Sequence, residues 1–207
     1  TMLGVEFSGL LKEGGLAEAL EGLTKGVKTL NPENKVRLVF PKYSSLPQSV
    51  KNACTDENKK VCHTEKGKSF NVYRIEQDGI EVFLVEDESF VLDAENPSIY
   101  GPDEDTQKKR FSTFTSLAHD FLSENKIDNE ILHLHDWHVS GLALKLRKQE
   151  KKDPSLKRTP IVFTFHNNSR SAQGRVGIGA YNYTPVFKGL REIGILQEGE
   201  NPLIKTL

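Results

Sequence analysis

The first forty residues constrain the fold most, because they spell one parallel βαβ unit. Leu3 to Phe7 is a short apolar segment interrupted by Gly4 and Glu6. A Gly-rich loop, Ser8 to Gly15, follows, and then Leu16, Leu20, Leu23, Val27 and Leu30 recur at steps of four and three. Those steps mark one face of a helix. Asn31-Pro32 stops it, because proline has no N–H to donate, and Val36 to Phe40 reads as a second buried strand. Strands joined through a helix run parallel, and a parallel sheet is buried on both faces. The chain is therefore predicted to be α/β, a Rossmann-like, doubly wound, mostly parallel sheet.

Residues 44–68 are polar and Lys-rich without periodicity, which predicts an excursion from the sheet with His63 at the surface. Phe70 to Ile75 and Ile80 to Val85 alternate as strands, and Asp78-Gly79 between them marks a tight turn, so an antiparallel hairpin is added to the core. The loop Asn96 to Asp103 precedes a helix whose Phe111, Phe114, Leu117, Ala118 and Phe121 face the core. His119 in that helix has no predicted role. The apolar run Ile131 to Leu134 ends in His135-Asp136-Trp137-His138, and a helix through Leu142, Ala143 and Leu146 follows, with a basic far end. Ile161 to Phe165 is another strand, and it ends in His166-Asn167. Residues 169–201 read as a loop with a short helix near 186–190.

Two apolar strands thus stop at histidines. In an open α/β sheet, ligands bind beyond the carboxyl ends of the strands, so these polar termini are candidates for a site. Gly14 and Gly15, with Lys12 beside them, put backbone N–H groups at a helix N-terminus, a geometry suited to a phosphate or a sugar hydroxyl. They match neither the dinucleotide nor the P-loop pattern. Tyr43 also follows a strand. One cleft is expected to gather all four segments.

Composition narrows the partners. With 28 basic and 29 acidic residues among 207 and a net charge of −1, no overall field steers the chain to nucleic acid or an anionic membrane. Its 23.3 kDa suit one domain spanning residues 1–207. Two cysteines, Cys54 and Cys62, form no C-x-x-C pair and favour a reducing compartment. No apolar run has membrane-spanning length and no signal-type N-terminus is visible, so a soluble cytoplasmic protein is expected.

Two chemistries are weaker fits. His133, His135, Asp136 and His138 resemble the zinc cluster of metallo-β-lactamase-like hydrolases, but Trp137 separates Asp136 from the last histidine, and no other ligand cluster accompanies them. No metal and no cofactor is expected. Acyl transfer lacks a G-x-S-x-G elbow.

Taken together, Lys12-Glu13-Gly14-Gly15-Leu16-Ala17-Glu18, Phe40-Pro41-Lys42-Tyr43, Tyr100-Gly101-Pro102-Asp103, His135-Asp136-Trp137-His138 and Thr164-Phe165-His166-Asn167 resemble, in order, the N-terminal half of bacterial glycogen synthases and plant starch synthases. The resemblance implies the N-terminal half of a GT-B fold. It also implies retaining transfer of glucose from ADP-glucose (or UDP-glucose) to the end of an α-1,4-glucan. It marks His166 and Asp136 as catalytic and Lys12, Gly14, Gly15, Glu18, Tyr100, His138, Asn167 and Gln173 as substrate-binding. The partners implied are a nucleotide-sugar donor, an α-glucan acceptor and a C-terminal GT-B domain, in the cytoplasm or, in a plant, the plastid.

Three departures from the family pattern stand out. Glu18 replaces an Asp, the loop from Asn167 to Gln173 is two residues longer, and the chain ends near Leu207 before a second Rossmann domain. This chain alone is accordingly expected to be inactive. The competing readings are a non-catalytic glucan-binding or regulatory module and a metal-dependent hydrolase using His133, His135 and His138.

Overall fold

The computed structural model describes residues 1–125, 131–152, 159–164 and 166. Its elements in chain order are β1 (Met2–Leu3), α1 (Gly15–Leu30), β2 (Arg37–Pro41), α2 (Gln48–Ala53), β3 (Lys59–His63), β4 (Ser69–Gln77), β5 (Ile80–Val85), α3 (Glu104–Glu124), β6 (Leu132–His135), α4 (Ser140–Lys152) and β7 (Ile161–Thr164). The expectations for residues 169–201 lie outside the described residues.

One sheet of order β3-β4-β5-β2-β1-β6-β7 carries these strands. From β5 to β7 every pairing is parallel, whereas β4 pairs antiparallel with both β5 and β3. The chain first steps outward from β1 through β2 to β5, then returns to build β6 and β7 on the other side of β1. Right-handed crossovers therefore put α1 on one face and α3 with α4 on the other. Strand order reverses between β1 and β6, which opens a crevice at their carboxyl ends.

The hairpin forms where the sequence predicts it. Asp78 and Gly79 both take positive φ, 51° and 75°, the turn whose twist matches antiparallel strands. Its second arm, β5, is itself a member of the parallel core, so the added antiparallel part is β4 with the edge strand β3. That edge strand falls inside the stretch read as an excursion. Lys59-Lys60-Val61-Cys62-His63 buries only Cys62, so it offers no apolar alternation. Its partner and α3 hold it instead: the His63 N–H donates to Glu124 Oε2 at 2.8 Å and Lys60 donates to Asn125.

The first strand is shorter than its apolar run. Only Met2 and Leu3 pair with neighbours, and Val5, Glu6 and Phe7 continue, buried, into the crevice. At Gly4 helix and strand come together: a Cβ there would lie 2.5 Å from Leu20 Cδ2, so only glycine lets α1 pack this closely. Leu16 and Leu20 are buried, while Leu30 at the helix end is 87% exposed. Phe111, Phe114, Leu117, Ala118 and Phe121 all join the core. Among the described residues, no helix is long and apolar enough to cross a membrane.

Candidate active site

The crevice is organised around a residue that sequence reading passed over. Glu6 is only 1% exposed, and its carboxylate accepts the N–H groups of Glu13 (2.9 Å) and Gly14 (2.5 Å) on one oxygen and the Tyr100 hydroxyl (2.5 Å) on the other. The Gly14 N–H predicted to meet a ligand thus points inward at Glu6. Gly15 is different: it is exposed, and nothing lies within 4 Å of the space its Cβ would fill. The first-turn N–H groups that follow have no acceptor within the helix, so the free end of the α1 dipole begins there.

Lys12 stands beside this turn, ion-paired to Glu18 at 2.5 Å, with both side chains more than half exposed. Exposed pairs of this kind contribute little, about 0–1 kcal/mol, so a dianionic ligand can displace Glu18.

Tyr100 links the two sides of the crevice. Its hydroxyl holds Glu6 while its ring lies 5.6 Å from His138 and 6.1 Å from Phe111. Burial first, then the Glu6 carboxylate, pushes its hydroxyl far above the ordinary phenol range. The loop that carries it is fastened twice. Glu13 accepts from the Ser98 hydroxyl (2.8 Å) and the Ile99 N–H (2.5 Å), and the buried Arg110 of α3 donates to the carbonyls of Ser89, Ser98 and Ile99. A groove of about 420 Å³ adjoins this loop, lined by Glu13, Asn96, Ser98, Tyr100, Gly101 and Gln107.

After β6 the chain turns sharply. Asp136 has φ 63° and ψ 175°, a region close to glycine-only, and it is 7% exposed. That turn brings its carboxylate back over the sheet edge, where Oδ1 accepts the His166 N–H at 3.3 Å while its own N–H donates to the Thr164 carbonyl at 2.9 Å. Trp137 to Val139 then form one 3₁₀ turn. His138 is buried in an aromatic box of Trp137 (4.2 Å), Phe111 (4.7 Å) and Tyr100, measured between ring centroids. Tyr43 lies lower, buried against Phe40 and Phe90, as part of the core under the cleft. Asn167 and Gln173 lie outside the described residues.

The histidines do not converge on one point. His133 and His135 share a face of β6, with ring centroids 4.2 Å apart, but His133 Nε2 pairs with Thr164 Oγ1 (2.7 Å) and His135 Nδ1 with His166 Nε2 (2.8 Å), while His138 belongs to the aromatic box. Among the described residues, the three side chains whose ligand atoms do cluster are Glu65, His119 and Asp120, on the β3–β4 turn and α3. His119 there is satisfied by Asp120 and Gln149.

These elements match a known arrangement. A profile described as the starch synthase catalytic domain matches residues 1–188. The chain belongs to that family. It is 31% identical over 160 residues to a glycogen synthase of Bacillus cereus (strain B4264), covering 76% of this chain and 32% of that protein. It is 27% identical over 168 residues to the glycogen synthase of Vibrio atlanticus, covering 78% and 33%. The catalytic domain of starch synthase IV from Arabidopsis thaliana, solved bound to ADP and acarbose, superposes with a TM-score of 0.62 at 23% identity, over 80% of this chain and 33% of that one. The chain thus spans about a third of the length of the relatives it matches. The fold is the N-terminal, Rossmann-like half of a GT-B architecture.

Within that family fold, Asp136 and Glu6 face the same crevice. Burial raises the Asp136 carboxyl above its usual range, and the Glu6 charge adds in the same direction, while the His166 N–H and ring oppose it. The strained backbone at Asp136 makes a testable expectation. Asp136→Gly and Asp136→Ala both remove the carboxylate, but only glycine relaxes at this φ. The glycine variant is therefore expected to be more stable than the alanine variant by about 1–2 kcal/mol, the reverse of the usual order. Urea titration of the two variants checks this, and an alanine variant at least as stable would contradict it.

Proposed function

We propose that this chain forms one wall of the active site of a retaining glucosyltransferase, which moves glucose from ADP-glucose or UDP-glucose to the end of an α-1,4-glucan. A second Rossmann-like domain completes the cleft. The observation that carries this reading is that Asp136 holds the His166 N–H at the switch point between β1 and β6, in the crevice where Glu6 holds the α1 turn. The ADP and acarbose named with the Arabidopsis structure are consistent with a nucleotide-sugar donor and a glucan-like acceptor.

The chemistry follows from where charge develops. As the bond from the glucose C1 to the donor oxygen breaks, its electron pair moves onto the departing diphosphate, so cations and N–H dipoles aimed there lower the barrier. Lys12 and the first turn of α1 from Gly15 onward are this chain's share. Asp136 and His166 hold the glucose ring on the opposite side, with the buried His138 box beside them. Lys12, tied to Glu18, is too little positive charge by itself, and half a cleft does not exclude water. The same scarcity favours, as a second reading, a glucan-binding module that kept the fold.

Assay of the full-length protein with ADP-glucose and glycogen separates the two. Labelled glucose is expected in the glucan, with this chain alone slower by more than about 10³-fold. A well-folded, inactive full-length protein that still binds glycogen would favour the binding module. In the active protein, Gly15→Val fills the open space over the turn and should raise KM for the donor by about tenfold or more, while Tm stays within about 2 °C. Unchanged donor kinetics would remove Gly15 from the site.

A further inference from the structure

His135 ends β6 with no exposed surface, and the reading above gives it no role. Its Nδ1 lies 2.8 Å from Nε2 of His166. The two rings are within 19° of parallel with centroids 5.2 Å apart, a separation too large for face-to-face contact. They meet edge to edge, so a ring N–H on one points at the lone pair of the other. In a neutral pair one nitrogen must donate and the other accept.

The surroundings decide which. Nε2 of His135 is buried and has no hydrogen-bond partner among the described residues. A proton there would make an orphaned buried N–H, the costlier of the two defects. A proton on Nδ1 instead sits within the 2.8 Å contact and leaves only a bare lone pair, the better-tolerated defect. Double protonation is ruled out, since burial, with the charges of His133 and His166, holds His135 down to about 3. His133 packs against the same ring and is itself tied to Thr164 Oγ1 at 2.7 Å, which restricts rotation of the pair. The next residue, Asp136, accepts the His166 backbone N–H at 3.3 Å, so successive residues at the end of β6 grip both the ring and the main chain of His166.

We propose that His135 is a positioning residue: by donating Nδ1–H to Nε2 of His166 it locks His166 as the Nδ1–H tautomer and presents that N–H as a fixed donor to a hydroxyl of the bound sugar. The catalytic consequence rests on the glucosyltransferase reading, whereas the tautomer does not.

The test has two arms. Nitrogen-15 NMR of this chain, with the His166 signals assigned by their loss in His166→Gln, is expected to show His166 protonated at Nδ1 and bare at Nε2. His135→Leu should release it into a mixture of tautomers. His135→Asn, whose amide nitrogen occupies the place of Nδ1, should keep it. Protonation at Nε2 in the unsubstituted chain, or a tautomer indifferent to His135→Leu, overturns the proposal, and the first of these needs no variant to fold. In the full-length protein, His135→Leu should lower kcat for glucosyl transfer by about 10²-fold with KM within about threefold, and His135→Asn should recover most of the loss. Unchanged kcat in a folded His135→Leu protein also overturns it. If the full-length protein transfers no glucose while His166 still follows His135, the reaction assigned above falls and the positioning contact stands.

Discussion

A Glu6→Ala substitution is expected to lower the free energy of unfolding by about 3–4 kcal/mol, against about 1 kcal/mol for Glu6→Gln. Alanine orphans three donors at once: the Glu13 and Gly14 N–H groups and the Tyr100 hydroxyl, which lose acceptors at 2.9, 2.5 and 2.5 Å. Bonds to a charged acceptor are worth roughly 1.5–3 kcal/mol each, and the desolvation of the carboxylate that disappears with them offsets part of the sum. Glutamine keeps one carbonyl oxygen for the two N–H groups, and its amide nitrogen faces a hydroxyl that can rotate to accept. The Tyr100 loop is the part expected to loosen first, because Glu6 ties it to the α1 turn. Urea denaturation reads the difference, with m unchanged if only the folded state has lost contacts. An alanine variant within 1 kcal/mol of the parent would mean that water replaces the carboxylate at little cost.

Mild acid is expected to destabilise the chain through His135. Its folded pKa is held to about 3 against an ordinary 6.5, first by burial and then by the neighbouring charges of His133 and His166. Above pH 6.5 the ring is neutral in both states and its full contribution to stability is present. As the pH falls below 6.5, the unfolded chain takes up a proton that the folded chain refuses. Stability drops by about 1.4 kcal/mol per pH unit, about 2 kcal/mol by pH 5, and the loss is complete only as the pH nears 3.

Two neighbours bear on the same curve. His133 is lowered too, mainly by burial, and adds to the loss. Asp136 is raised above its ordinary 3.8, so its contribution is present below that value and lost as pH rises through its folded pKa, opposing the trend at the acid end. His135→Asn removes the titrating ring, so its stability should fall less between pH 7 and 5, by about 2 kcal/mol. Parallel curves for parent and variant would show that His135 titrates normally.

Much of the scaffold was legible locally. The period of Leu16, Leu20, Leu23 and Val27 marks α1, the Asp78-Gly79 pair marks the β4–β5 turn, and apolar runs bounded by Pro or His mark β2, β6 and β7. Each is a statement about a single element, decided by its own residues. The strand β3 was hidden because a Lys-rich edge strand with one buried side chain has no alternation to read, and it exists through pairing with β4. Glu6 left a trace, as the one charge inside the apolar run from Leu3 to Phe7, but nothing local says that it turns toward residues eight and ninety-four positions later. Arg110 and Glu13 were silent for the same reason.

By itself the sequence determined the α/β class, the parallel core and the strand ends at which polar residues collect, because period, breakers and apolar runs act over a few residues. It also carried the family motifs, each beside the end of a strand or the start of a helix. Only the tertiary structure decided what those residues do to one another. Strand order brings the ends of β1, β6 and β7 side by side, and only then does the Gly14 N–H meet Glu6 instead of a ligand, Asp136 strain its backbone to reach the His166 N–H, and His135 aim a buried ring nitrogen at His166. Those contacts join residues some thirty or more positions apart, or depend on which side of a short turn is buried. Burial sets the protonation states within them, and it exists only once the whole sheet is formed.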